Sequence, residues 1–324
     1  MKNKVIQHIK DLGYDYKLSG KLGNCIDDIS LIYYVRNNDL CYLDANVPHL
    51  VKDKKDITLL CPFDFDESNS EISYIKVKDP KLVFYYVSHL FGNNKTFIID
   101  EELSKKYPGA TIGKDCKIGN DVNIQAGVII RNNTIIGDGV TIESGSVIGS
   151  TGLLWTWDKK RNKKVMLTLT GGTEIGKDSY ICSNVSIVRG SCNEMTKIGK
   201  GVMIAPGTAI GHGCDVGKNT HIANNVTLSG AVIIGENCFF GSGCTVQPAC
   251  RVLSNVVLGS GAILTKSTEK TGVYVGIPAK WKKERENNLI KIAMDTAVAV
   301  TKTFAQMGFV AGLPLAAVML GIGA

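Results

Sequence analysis

The feature that most constrains this chain is a period of six. Apolar residues stand at Ile198, Ile204, Ile210, Val216, Ile222, Leu228, Ile234, Phe240, Val246, Val252, Leu258 and Leu264, several followed at once by Gly. The same beat runs through Ile112, Ile118, Ile124, Ile130, Ile136, Ile142 and Ile148, and returns at Ile175, Ile181 and Ile187. Neither a helix nor a two-residue alternation reproduces a strict beat of six. A parallel β-helix of hexapeptides does. Each hexad gives a short strand and a corner, and three hexads close one triangular coil. The large residue points inward, and Gly, Asn or Asp takes the corner, where positive φ is often needed.

The beat also divides the chain. Residues 1–105 lack it and read as a separate α/β domain. Val5, Ile6, Ile9 and Leu12 predict a short amphipathic helix ended by Gly13, and Leu31–Val35, Asp39–Leu43 and Ile57–Leu60 read as strands. Leu82–Phe91 reads as a helix, with Pro80 near its start and Gly92 just past its end. Residues 106–278 hold the repeats. They are interrupted over 150–174 by a loop carrying Trp155, Trp157, Lys159, Lys160, Arg161, Lys163 and Lys164, and again between Ile187 and Ile198. Loops this long are often functional, and this one reads either as a solvated basic hairpin or as a flap for phosphates. Residues 279–324 are expected to be a helix, patterned over Ala279–Lys302, followed by an uncharged tail, Thr303–Ala324.

A net charge of +7 favours anionic ligands. No basic block with interleaved aromatics points to nucleic acid. The start Met1-Lys2-Asn3-Lys4 opens no signal-peptide core, so a cytoplasmic location is expected. Of the ten Cys, Cys238, Cys244 and Cys250 repeat at six, and Cys116 and Cys214 share their place in the hexad. Packing of small apolar side chains accounts for them. No CxxC is present, which argues against thiolate metal sites.

Chemistry narrows to histidine. Of His8, His49, His89, His212 and His221, only the last two lie among the repeats. His212 follows the inward Ile210 by two places, which leaves it either inward or at a corner, the corner being the less costly for a polar ring. His221 precedes Ile222 and should face outward.

The stretch "GHGCDVGKNTHIANNVTLSGAVIIGENCFFGSGCTV" followed by "VYVGIPAK" resembles the left-handed β-helix acyltransferases, and in particular the bacterial N-acetyltransferases of nucleotide-linked amino sugars. "VKDPKLVFYYVSHLF", the hexads from Ile112, "VIGSTG" and "VSIVRGSCNEMTKIG" resemble UDP-3-O-acylglucosamine N-acyltransferases of lipid A synthesis, over residues 1 to about 278. The resemblance implies a mainly β fold: a left-handed β-helix behind a nucleotide-sugar-binding α/β domain. It implies a homotrimer with sites between adjacent barrels, no permanently bound cofactor and no metal. His212 would be the catalytic base. His221, Gly230, Gly276, Pro278 and Lys280 would bind the acyl donor, with Lys280 near its anionic end. Tyr42 and Asn46 would contact the nucleotide, with Pro48 or His49 where the family has a second aromatic. The expected function is transfer of an acyl group from acyl-CoA to the amine of a nucleotide-linked amino sugar. The alternatives are a lipid A-type enzyme using acyl carrier protein and a non-catalytic β-helix scaffold. A zinc hydratase on the same fold would need three His at one site.

Three departures accompany the resemblance. Where the families hold an acid or a second His near the catalytic imidazole, this chain has Ala205, Gly213 and Ala249. Asp215, or an acid from a neighbouring subunit, is then expected to orient His212. The tail 303–324 is close to the ~20 apolar residues that span a bilayer core and follows a basic run. It is therefore expected to give peripheral contact with the inner face of a membrane.

Overall fold

The computed structural model describes residues 1–285 apart from 22, 24, 44–47 and 93–96. The contact expected at Asn46, and the apolar tail 303–324, lie outside the described residues. The hexads close as their beat requires. Strands three hexads apart pair in parallel, so that Ile204 lies beside Ile222 and Ile222 beside Phe240. Three sheets result. Face one begins at Thr111–Ile112 and has eight strands, face two begins at Lys117–Ile118 and has seven, and face three begins at Asn123–Ile124 and has nine.

Strands of two residues cannot persist alone. They are held by coil-to-coil hydrogen bonds, such as Met203 N–H to the Thr220 carbonyl at 3.0 Å and His221 N–H to that of Cys238 at 2.9 Å. They also share one continuous apolar core, in which Ile204, Ile222 and Phe240 are fully buried beside Cys214, Cys238, Cys244 and Cys250. The repeated cysteines are thus packing residues. At the corners Asn219, Asn225 and Asn237 take φ of 55–56°, a region that asparagine tolerates better than other side chains.

In front of the prism stands a five-stranded sheet. Its strands are β1 (Tyr16–Gly20), β2 (Asp28–Ile29), β3 (Asp39–Tyr42), β4 (Thr58–Cys61) and β5 (Ser73–Val77), in the order β1-β5-β4-β3-β2 with only β1 antiparallel. Helix α1 (Lys2–Asp11) turns Val5 and Ile9 into the core, and Gly13 follows it at φ 65°. Helix α2 (Pro80–Ser88) is capped by Asp79, whose side chain accepts from the Leu82 N–H. The run Leu31–Val35 is not the expected strand. Ile32–Tyr34 forms a 3₁₀ turn, because only Ile32 is buried while Tyr33 and Tyr34 face out at 53% and 45% exposure.

The interruption at 150–174 contains an antiparallel hairpin, Trp155–Asp158 with Lys163–Met166. It is neither a free flap nor fully solvated. Val165, Leu167 and Leu169 are buried in the core of the α/β domain. Asp158, wholly buried, accepts from the Tyr86 hydroxyl at 2.6 Å and from Arg161 at 2.9 Å. Arg161 also donates to Tyr14 and to the Leu12 carbonyl. Lys163 and Lys164 lie over the rings of Tyr86 and Trp155. Arg161 and Lys163 thus tie the hairpin to the α/β domain.

At the far end, Lys280–Lys283 is a strand continuing face three, not the start of the helix expected from Ala279. Trp281 decides this. It is partly buried against the prism core, its Nε1–H donates to the Thr271 carbonyl at 3.0 Å, and Lys270 sits over its ring. Residues 1–282 make one compact unit, and of a second, from 283 onward, only 283–285 are described. Among the described residues no helix is long and apolar enough to cross a membrane.

Candidate active site

His212 stands at the corner between Ala209–Ile210 on face one and Asp215–Val216 on face two. A corner is where a polar side chain escapes a core of Ile and Cys. One coil further on the same corner carries Gly230, and the Ala231 N–H bonds to the His212 carbonyl at 2.7 Å. The imidazole lies flat against Gly230. A Cβ there would stand 2.8 Å from both Cδ2 and Cε1 and would collide with Nε2. Glycine is therefore required at position 230 to admit the ring, a role distinct from its expected donor contact. The Gly230 N–H makes no hydrogen bond among the described residues.

The other ring nitrogen is sealed. His212 Nδ1 is buried with no hydrogen-bond partner among the described residues. Burial lowers the imidazole's pKa below its ordinary 6.5, and the negative charge of Glu194 works in the opposite direction. Glu194 is the residue that sequence reading missed. It is 5% exposed, and its Oε2 accepts from the Ser191 N–H at 2.8 Å and from the Ser191 hydroxyl at 2.6 Å. Its carboxylate covers Gly213, the residue after His212, so closely that a Cβ on Gly213 would lie 2.6 Å from Oε2. The only available signal was its being the one acid in the break between Ile187 and Ile198. Asp215, expected as the orienting acid, is exposed on the outer side of face two.

The α/β domain reaches this loop. Asn193 donates to Asp39 at 2.9 Å and accepts from Arg36. The Tyr34 hydroxyl lies within reach of the Glu194 charge, and its pKa is raised by burial and then by that charge. Asn193, with Asp39 and Arg36, thus joins the α/β domain to the loop that carries Glu194.

His221 faces outward on face three, half-buried, its ring stacked on Phe239 at 5.2 Å and 6°. Burial lowers its pKa as well. Face three is opposite the corner between faces one and two, so one chain does not bring His221 to His212. The turn with Gly276 at φ 92° and Pro278 leaves face three after Gly272–Val275, bonds through the Gly276 carbonyl and the Ala279 N–H to Ile263 of face one, and returns to face three at the exposed Lys280. The proposed residues thus do not form one set: His212 and Gly230 share the corner, His221 lies on the opposite face, and the Gly276–Pro278 turn lies against Ile263 of face one.

In the α/β domain the Tyr42 ring packs 5.0 Å from Phe84 at 47°, half-buried against the core, so only part of it is left for a ligand. On the other side of the sheet, His49, Phe65, Asp66 and Tyr74 line a cavity of about 290 Å³ that Tyr42 does not reach, at the low end for small-molecule sites. Among the described residues of one chain no three His, Cys, Asp or Glu are grouped to hold a metal ion.

Comparison with protein families identifies the repeats. Residues 115–150 and 195–230 match the family described as bacterial transferase hexapeptide (six repeats). Residues 231–266 match the hexapeptide repeat of succinyl-transferase. A comparison with curated protein sequences finds no match. Among solved structures, the chain is similar to LpxA from Acinetobacter baumannii, with 25% identity over 57% of this chain and 71% of that one and a TM-score of 0.41. It is similar also to the UDP-N-acetylglucosamine acyltransferase of Campylobacter jejuni (22% identity, 61% and 82% coverage, TM-score 0.48). The acyltransferase of Francisella novicida gives 22% identity, 60% and 79% coverage and a TM-score of 0.48.

Proposed function

We propose that this chain of transferase-type hexapeptide repeats is an N-acyltransferase, moving an acyl group from a thioester to the amine of a nucleotide-linked amino sugar. The observation that carries the reading is the His212–Gly230 corner: a neutral imidazole lying against a glycine whose backbone N–H makes no hydrogen bond among the described residues. Such a pair supplies the two things acyl transfer needs. The amine attacks the thioester carbonyl, and Nε2 accepts its proton as the C–N bond forms. The oxyanion takes the Gly230 N–H, a role typically worth roughly 3–4 kcal/mol. On collapse the C–S bond breaks, and the imidazolium returns the proton to the departing thiolate.

Acyl-CoA is the favoured donor, since His221, Gly276, Pro278 and Lys280 match the stretch by which the sequence resembles the acetyltransferases. With His221 opposite His212, the full site needs a second copy of the chain. A homotrimer is supported by the outer side of face three, where Tyr180, Met203, His221, Phe239, Val257 and Val273 form one apolar ladder. The corresponding positions on face two include Lys197, Asp215 and Arg251. The α/β domain would hold the nucleotide, and peripheral membrane contact would come through 303–324 in a cytoplasmic protein. Mass spectrometry of products from acyl-CoAs or acyl carrier proteins combined with nucleotide amino sugars tests the reading. An N-acylated nucleotide sugar formed from acyl-CoA is expected. Turnover with acyl carrier protein alone would reverse the donor, and no product from any pair would overturn the function.

A further inference from the structure

Glu194 is buried and ionisable and has no part in the reaction outlined above. Burying a carboxylate is costly unless it is hydrogen-bonded, and here the donors come mainly from its own loop, through Ser191. Closing that loop would explain the hydrogen bonds. It does not explain why the carboxylate lies over Gly213, at a distance that excludes any side chain there, next to a histidine whose Nδ1 is sealed without a partner.

We infer that Glu194 is the positioning residue of His212: its fixed negative charge stabilises the imidazolium that forms when Nε2 accepts the amine proton, and its packing over Gly213 holds the corner in place. The placement of this role in the reaction rests on the acyl-transfer reading. Glu194 neither gives nor takes a proton. The imidazole gains one as the C–N bond forms and passes it to the thiolate as the C–S bond breaks, and the carboxylate offsets the positive charge between those events. In a buried site such an offset is large, because little water screens it. Other groups also face the pair: Tyr34 from the 3₁₀ turn, Cys192 from the same loop, and Cys214, Asp215 and Arg251 from the prism. Among all these groups, Glu194 is the one whose carboxylate lies over Gly213, the residue next to His212.

The test is the titration of the His212 ring, followed by NMR in full-length protein labelled in its histidines and assigned with His212→Gln. Glu194→Gln keeps the shape and a carbonyl acceptor for Ser191 while removing the charge. Its midpoint for His212 is expected to fall by about one pH unit, with a loss of roughly tenfold or more in kcat and little change in KM. Glu194→Asp should restore part of both, which a purely structural role would not require. Should the Gln variant fail to fold, the Asp variant gives the same reading, since a shorter acid must also lower the midpoint. An unchanged midpoint in a folded variant overturns the proposal. The titration is read without substrate, so a wild-type protein that transfers no acyl group would overturn the function, whereas this inference would still be decided by the midpoint.

Discussion

At the scale of single residues, the site depends on one ring lying against one missing side chain. His212→Ala should lower kcat by ~10²–10⁴, the usual effect of losing a general base, with the coils unchanged by circular dichroism. Gly230→Ala should reproduce that loss while leaving His212 present, because the new Cβ would occupy the place of Nε2. Retention of more than about a tenth of the activity in either variant would be inconsistent with a base at this corner. The histidines also fix a pH dependence. Burial lowers the pKa of His212 and His221 below 6.5, so the unfolded chain takes up protons first as pH falls. Their contribution to stability is therefore complete above about pH 6.5 and is lost below it, towards the folded values. Thermal melts should be level from neutral to mildly basic pH and fall on acidification. His212→Gln should flatten part of that slope, and an unchanged slope would remove His212 as its source.

At the scale of elements, the hairpin 155–166 belongs to the fold of the domain it touches. Asp158 is fully buried and Arg161 partly so. Burial alone would raise the pKa of Asp158, but hydrogen bonds from Tyr86 and Arg161 hold it at about 2. Its contribution is thus present above the ordinary carboxylate value of 3.8 and is lost as pH falls towards 2. Asp158→Ala should destabilise the protein by about 3 kcal/mol, since Arg161 and Tyr86 would be left without their shared acceptor; a loss near zero in chemical denaturation would show that the hairpin is not a clamp. Elements also separate what the sequence made legible from what it did not. The prism was legible because one inward residue recurs every six positions and closing the coil satisfies all of them at once. The corner place of His212 was legible only as a choice, since an offset of two from an inward residue fits either direction until the coil closes. Glu194 was not legible, because the bulge that holds it has no period and its neighbours Gly213 and Tyr34 are remote in sequence. The strand at Lys280–Lys283 was hidden for the opposite reason: its charges suit a helix surface, and only Trp281 reaching the prism core sets it in the sheet.

At the scale of the whole molecule, the expected dependence on a second copy can be measured directly. Met203, 51% exposed in the middle of the apolar ladder, is far from the His212 corner of its own chain. Met203→Asp should shift the protein from trimer to monomer in analytical ultracentrifugation and abolish transfer, because His221 would no longer meet His212 of another copy. A monomeric variant with full activity would place the whole site within one chain. The cysteines of the prism have a separate consequence. Cys25 is exposed, Cys116 and Cys182 are partly covered, and Cys214, Cys238, Cys244 and Cys250 are buried along the axis, with the thiols of Cys214 and Cys244 pushed up to about 12. A maleimide should therefore mark the intact protein first at Cys25, while the interior thiols react only as their own coils open. Peptide mapping of an alkylation time course would then read the chain like a tally stick, each newly modified notch recording how far the prism has frayed and from which end.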